Sequence, residues 1–138
     1  MKTFGELDIR KDLSYTKTHE WAKKTDRVVR VGVDDYAQSA LGDIVYVELP
    51  SVGAATGAGA AFGSLESTKA VSDLNSPVTG KVVAVNEALS DSPELINASP
   101  YEDGWIVEIE VPDSKEFDAL LKSDAYSEFV KTLDEEHQ

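Results

Sequence analysis

The sequence predicts a mainly β domain that finishes in helices. Three observations carry this. Apolar and polar residues alternate with a period of two through much of the chain up to Pro112, turn-forming Gly, Pro, Asn, Asp and Ser break the alternation into short runs, and beyond Pro112 the period becomes helical.

Val29, Val31 and Val33 alternate with Val28, Arg30 and Gly32, the pattern of a half-buried strand. Asp34 follows as a helix N-cap, because a short carboxylate accepts an orphan N–H of the first turn. Tyr36, Ala37, Ala40 and Leu41 then give one apolar side to a short helix closed by Gly42. Residues 44–49 form a β-branched and aromatic run stopped by Pro50, and 60–65, 70–74 and 81–85 are further short strands. The Gly- and Ala-rich stretch 51–59 lacks the Gly-Lys-Ser/Thr end of a phosphate loop and is expected to cross a sheet edge. Gly42-Asp43-Ile44-Val45-Tyr46-Val47 and Gly80-Lys81-Val82-Val83-Ala84-Val85 share one pattern at an offset of 38 residues, a hint of a duplicated β unit. Trp105, Val107, Ile109 and Val111 alternate as a last strand ended by Pro112. Asp113 with Glu116 makes a capping-box pattern ahead of Phe117, Leu120 and Leu121. Ser123 caps a second helix, whose Tyr126, Phe129, Val130 and Leu133 recur at helical spacing and read as core packing.

A chain of 138 residues fits one domain, 1–138, with a core spanning about 15–130. Its formal net charge of −13 disfavours nucleic acid phosphates and anionic lipid as partners. The charge is uneven: eight Lys and Arg against five Asp and Glu leave residues 1–30 at +3, while five against 21 leave 31–138 at −16. An acidic body favours basic protein surfaces, or simply keeps the protein soluble and monomeric; a monomer is expected. Zero Cys removes disulfides, thiolate metal sites and cysteine nucleophiles, and only His19 and His137 remain for imidazole chemistry. No catalytic residue and no metal ligand are therefore assigned, and a non-catalytic protein is expected. The first residues lack a signal-peptide apolar region and carry Glu6, Asp8 and Asp12 early, so the cytoplasm is the expected compartment, with a processed organelle protein as the alternative.

Lys69 stands in the polar island Gly63-Ser64-Leu65-Glu66-Ser67-Thr68-Lys69-Ala70-Val71-Ser72-Asp73 between two strand-like runs, which places it at a hairpin tip. A lysine there is solvated and no nucleophile unaided, but a modifying enzyme reaches it easily. Acylation would remove its charge and turn its stem into a tether.

Glu66-Ser67-Thr68-Lys69-Ala70, followed by Asp73 and Ser76-Pro77-Val78-Thr79-Gly80, resembles the attachment segment of lipoyl carrier domains. The flanks narrow the resemblance. His19-Glu20-Trp21, Val33-Asp34-Asp35-Tyr36-Ala37-Gln38, Leu41-Gly42-Asp43-Ile44-Val45-Tyr46-Val47-Glu48-Leu49-Pro50, Asn86-Glu87-Ala88-Leu89, Ser92-Pro93-Glu94-Leu95-Ile96-Asn97 and Pro100-Tyr101-Glu102-Asp103-Gly104-Trp105 resemble, in order and without a large gap from about residue 15 to 130, the H proteins of the glycine cleavage system. That family implies a barrel-sandwich hybrid: a flattened, lipoyl-domain-like β barrel of two small sheets in pseudo-twofold halves, with peripheral short helices and, here, two C-terminal ones.

The resemblance also implies a function. Such a protein carries lipoate covalently on Lys69 and shuttles the aminomethyl group of glycine decarboxylation. Its implied partners are the pyridoxal-phosphate glycine decarboxylase, an aminomethyltransferase, dihydrolipoamide dehydrogenase, and the lipoate ligase or lipoyl transferase that loads it. Glu66 is implied in ligase recognition, and Glu20 and Asp73 in a cleft that receives the arm. Without the resemblance, Glu20 reads as a surface carboxylate on a strand, Asp73 as a turn residue and His19 as structural. Two departures from the family pattern are Ala40, where some relatives carry histidine, and a lysine-poor 55–60. A biotin carrier is disfavoured because Lys69 lies between Thr68 and Ala70 rather than between methionines. A lipoyl domain of a 2-oxo acid dehydrogenase complex would lack the His19-Glu20-Trp21 segment, the Tyr101-to-Trp105 block and the final helices. An H-like lipoate donor or relay stays open beside the carrier reading.

Overall fold

The computed structural model describes residues 2–136; His137 lies outside them. After a single 3-10 turn at Phe4–Glu6 come strands β1 (Ser14–Tyr15), β2 (Glu20–Thr25) and β3 (Val28–Val33), helix α1 (Asp35–Leu41), and strands β4 (Ile44–Glu48), β5 (Ala55–Thr56), β6 (Ala61–Ser67), β7 (Val71–Asn75) and β8 (Gly80–Val85). Short helices α2 (Ala88–Asp91) and α3 (Leu95–Ala98), strand β9 (Val107–Glu110), helix α4 (Lys115–Asp118), strand β10 (Leu121–Lys122) and helix α5 (Ser123–Glu136) complete the order.

The strands form two antiparallel sheets. One has seven strands in the order β10-β1-β2-β3-β9-β8-β5, the other three in the order β4-β6-β7. They pack as a sandwich and do not join into a closed barrel. Val29, Val31, Val107 and Ile109 of the large sheet meet Ile44, Val47, Leu65 and Leu74 of the small one in a continuous apolar core. A second, aromatic cluster of Tyr15, Trp21, Tyr101, Tyr126 and Val130 seats α5 on the other side. The two strands that share the 38-residue echo fall in different sheets, β4 in the small and β8 in the large.

Local chemistry explains the elements. Asp34 Oδ1 accepts from the Ala37 N–H at 2.9 Å, the expected N-cap, and Gly42 closes α1 at φ +79°, a conformation that favours glycine. Gly32 faces Trp21 across the ladder; a Cβ on it would stand 2.6 Å from the indole, so the missing side chain makes room for the ring. The Gly- and Ala-rich stretch supplies β5, which pairs with β8 at the edge of the large sheet.

Two expectations need correction. The capping box ahead of Phe117 does not close: Asp113 Oδ1 accepts from the Lys115 N–H, but Glu116 instead receives the Thr79 N–H at 2.8 Å and the Thr79 hydroxyl at 2.9 Å. The first C-terminal helix is therefore a single turn, and Leu121 leaves it to join β10 beside β1. The second helix begins at Ser123 and runs 14 residues, with Tyr126 and Val130 buried.

Candidate functional site

The site is built on the β6–β7 hairpin. Its turn, Thr68-Lys69-Ala70, is organised by the buried Ser67 hydroxyl, whose Oγ accepts the N–H groups of Lys69 and Ala70, both at 3.1 Å. A serine supplies this local turn because its short side chain reaches its own backbone two and three residues on. The Ser67 N–H closes the turn on the Ala70 carbonyl at 2.8 Å. The tip is tied to the rest of the fold where the Thr68 N–H donates to the Asp43 carbonyl at 3.1 Å, at the corner between α1 and β4.

Lys69 is exposed at this tip, as the sequence predicts. Its stem crosses Gly42: a Cβ there would lie 3.6 Å from Lys69 Cε and 3.9 Å from Cδ. The ammonium end makes no hydrogen bond or ion pair among the described residues. The arrangement presents a primary amine on a rigid turn, with nothing to detach before an enzyme acylates it.

Glu66 and Asp73 share one face. Glu66 stands between Tyr46 and Val71 across the three strands, and Asp73 pairs with Ser64, which pairs with Glu48. A register shift between Ile44 and Tyr46 turns Val45 and Tyr46 outward together. The outer face beside the lysine thus carries Glu48, Glu66 and Asp73 around Tyr46 and Val71, the last two 55% and 68% exposed. Asp73 lies within a strand, not a turn.

Glu20 is placed apart from them. It is 1% exposed, so it is no surface carboxylate. Both the Thr16 and the Thr18 hydroxyls donate to its Oε1, and the Asn75 N–H donates to Oε2 at 3.3 Å. Burial pushes its carboxyl above the usual range against those hydrogen bonds. Glu20 therefore meets the hairpin at the end of β7 remote from the tip. Sequence reading missed the two threonines, although the i−4 and i−2 hydroxyls were a local signal.

Next to Glu20 in the chain, the half-buried His19 joins the buried Asp34 and Tyr126 in a polar cluster. His19 holds φ at +73°, packs tilted by 35° against Tyr36 with 4.3 Å between ring centres, and shares a 2.7 Å hydrogen bond between its Nδ1 and the Tyr126 hydroxyl. Burial pushes its imidazole down to about 4. The Tyr126 hydroxyl also lies beside the Asp34 carboxyl, which burial pushes up to about 7. These groups hold α5 and α1 against the sheet, in keeping with a structural His19. Ala40 sits half-buried on α1.

A family model described as "Glycine cleavage H-protein" matches residues 13–133. The chain belongs to the glycine cleavage H-protein family. The match takes in both sheets and the lysine hairpin. Among similar proteins, the glycine cleavage system H protein 2, mitochondrial, of Arabidopsis thaliana is 51% identical over 129 residues, covering 94% of this chain and 83% of the relative. The H protein of Anaeromyxobacter sp. (strain K) is 51% identical over 125 residues, 91% of this chain and 98% of the relative. That of Listeria monocytogenes serotype 4a (strain HCC23) is 52% identical over 124 residues, 90% and 99%. The crystal structure of an H protein from Mycobacterium marinum superposes with a TM-score of 0.80 at 40% identity, covering 90% of this chain and 98% of the other. As an H protein the chain is a carrier component of the glycine cleavage system, with the two-sheet fold that the resemblance implies. Among the described residues no helix is long and apolar enough to cross a membrane.

Proposed function

We propose that this H protein carries lipoate in amide linkage to Lys69 and moves the aminomethyl group of glycine decarboxylation between partner enzymes without catalysing a step itself. The carrying observation is the Lys69 amine, exposed and unpaired on a turn whose backbone is fixed by Ser67 and Asp43. These residues fit the group, because an acyl tether needs a reachable primary amine on a rigid base. When bound, lipoate supplies the dithiol redox and group-carrying chemistry that this cysteine-free chain lacks. The chain's own part is to hold the attachment point and present a face. Glu66, beside the tip, is the candidate for ligase recognition. Asp73 and Glu20 are candidates for steadying a cationic adduct, Asp73 from the outer face and Glu20 from its buried position by β7. The proposed partners are the pyridoxal-phosphate decarboxylase, the aminomethyltransferase, dihydrolipoamide dehydrogenase and a lipoate ligase or lipoyl transferase. The proposed working form is a single-domain monomer in the compartment that holds those enzymes, the cytoplasm in a bacterial setting.

The test is intact mass and peptide mapping after incubation with lipoate ligase, ATP and lipoic acid. One lipoyl increment on Lys69, absent from Lys69→Arg, is the expected result, since a guanidinium offers no acylable amine. An increment on another residue, or full glycine cleavage by Lys69→Arg with the partner enzymes, would refute the assignment.

A further inference from the structure

We infer that Asn97, far from the hairpin in sequence, is a positioning residue for Lys69. The inference rests on Lys69 being the acylated residue and adds what holds it in place. Asn97 lies on α3, and its side-chain amide closes three hydrogen bonds on the α1–β4 corner. Its Oδ1 accepts from the Ile44 N–H at 2.9 Å, and its Nδ2 donates to the Gly42 carbonyl at 2.9 Å and to Gln38 Oε1 at 3.1 Å.

Gly42 and Ile44 flank Asp43 on both sides. The Gly42 carbonyl follows a helix end, where carbonyls have no intrahelical donor, and so needs a donor from elsewhere. A side-chain amide offers two donors and an acceptor from one planar group, a combination that neither carboxylate nor hydroxyl provides. The Gln38 amide is itself fixed, because its Nε2 donates to Asp35 Oδ1 at 2.7 Å, which turns its oxygen toward Asn97. Asp43, clamped between Gly42 and Ile44, presents its carbonyl to the Thr68 N–H, and the Lys69 stem lies over Gly42. The path from Asn97 to the lysine is therefore two short steps: amide to corner, corner to tip.

A lysine stem is flexible, so a fixed base is what limits the orientations its amine presents to an incoming enzyme. Loosening the corner should weaken productive docking of the tip and spare the chemistry that follows docking.

The experiment uses the unlipoylated chain and two variants, Asn97→Ala, which removes all three bonds, and Asn97→Asp, which keeps the shape but sets a carboxylate against the Gly42 carbonyl and Gln38 Oε1. Amide hydrogen exchange by NMR is read at Thr68 and at the core residues Val29, Val31 and Ile109. KM and kcat for the chain are measured with lipoate ligase. Thr68 should exchange about tenfold faster in both variants, the core amides should keep their protection, and KM should rise with kcat held within about twofold. Should Asn97→Ala fail to fold, Asn97→Asp and Asn97→Ser carry the same comparison. Unchanged Thr68 exchange and KM overturn the inference, as does exchange at Thr68 that rises only in step with the core. A loosened Thr68 in a chain that no ligase acylates at Lys69, even as wild type, would remove the carrier reading and leave the corner clamp standing.

Discussion

Trp21 and Gly32 show how a single missing side chain sets the core. The indole is buried, its Nε1 donates to the Pro100 carbonyl at 2.8 Å, and it occupies the space a Cβ on Gly32 would need. Gly32→Ala should therefore cost about 1–3 kcal/mol through overpacking, seen as a lower unfolding midpoint in urea. Lys69→Arg, on the exposed tip, should leave the same midpoint unmoved. His19 and Asp34 make a pH prediction at the same scale. The folded His19, held down to about 4, refuses a proton that the unfolded chain takes up near the ordinary 6.5. Its contribution is thus present above that value and is lost as pH falls toward 4. Asp34, pushed from 3.8 to about 7, acts in the opposite sense, contributing fully below its ordinary value and losing that contribution as pH rises through 7. Between pH 4 and 7 the two slopes oppose each other. Asp34→Asn keeps the N-cap oxygen but removes one slope, so its stability should fall more steeply than the parent's as pH drops from 7 to 4.5. Equal slopes in chemical denaturation would rule this out.

Helix α5 is docked by a polar contact as well as an apolar one. The Tyr126 ring stacks on Tyr15 at 4.5 Å, 7° from parallel, and its hydroxyl satisfies His19 Nδ1. Tyr126→Phe keeps the stack and leaves the imidazole unpaired, so it should cost about 1–3 kcal/mol, whereas Tyr126→Ala should cost about 3–5 kcal/mol. Urea unfolding measures both, and a Phe variant as stable as the parent would show that the hydroxyl contributes nothing. This helix was legible in the sequence because its apolar residues recur along one stripe, and β3, β4, β6, β7, β8 and β9 were legible to within a residue or two because one face of each is buried. Elements too short to show a period were not: β1 and β10 have two residues each, and α2 and α3 four. The division into sheets was not legible either, since alternation says which side of a strand is apolar and nothing about its neighbour. At the site, the exposure of Lys69 on a hairpin tip was readable from the polar island around it, while its reading as an attachment point came from the resemblance alone. The burial of Glu20 was only partly legible: the Thr16 and Thr18 hydroxyls were a local signal, but the contact with Asn75, 55 residues away, was not.

For the whole molecule, the charge of −13 has a definite geometry near the tip, where Glu48, Glu66 and Asp73 share the outer face. If that field steers the carrier onto larger partners, it acts on encounter, and exposed charges are largely screened beyond about 10 Å in 0.1 M salt. The Michaelis constant of the lipoylated chain for the decarboxylase should therefore rise with salt, while turnover at saturating carrier changes little. Reversing Glu66 and Asp73 together should flatten the dependence, and a salt-independent constant in the parent would leave the charge as a solubility feature. The placement of the two tryptophans has an optical consequence. Trp21 lies in β2, and Trp105, just ahead of β9, packs on the flank of the large sheet with the Arg30 guanidinium of β3 4.5 Å from its ring centre; the sheet bearing Lys69 has no tryptophan. Tryptophan emission, excited apart from Tyr46 of β4, is thus a gauge of the seven-stranded sheet and its flank. A red shift in emission marks its melting, whereas a hairpin that has worked loose at Thr68 would leave the spectrum unchanged and would be found only by a probe placed on the lysine itself.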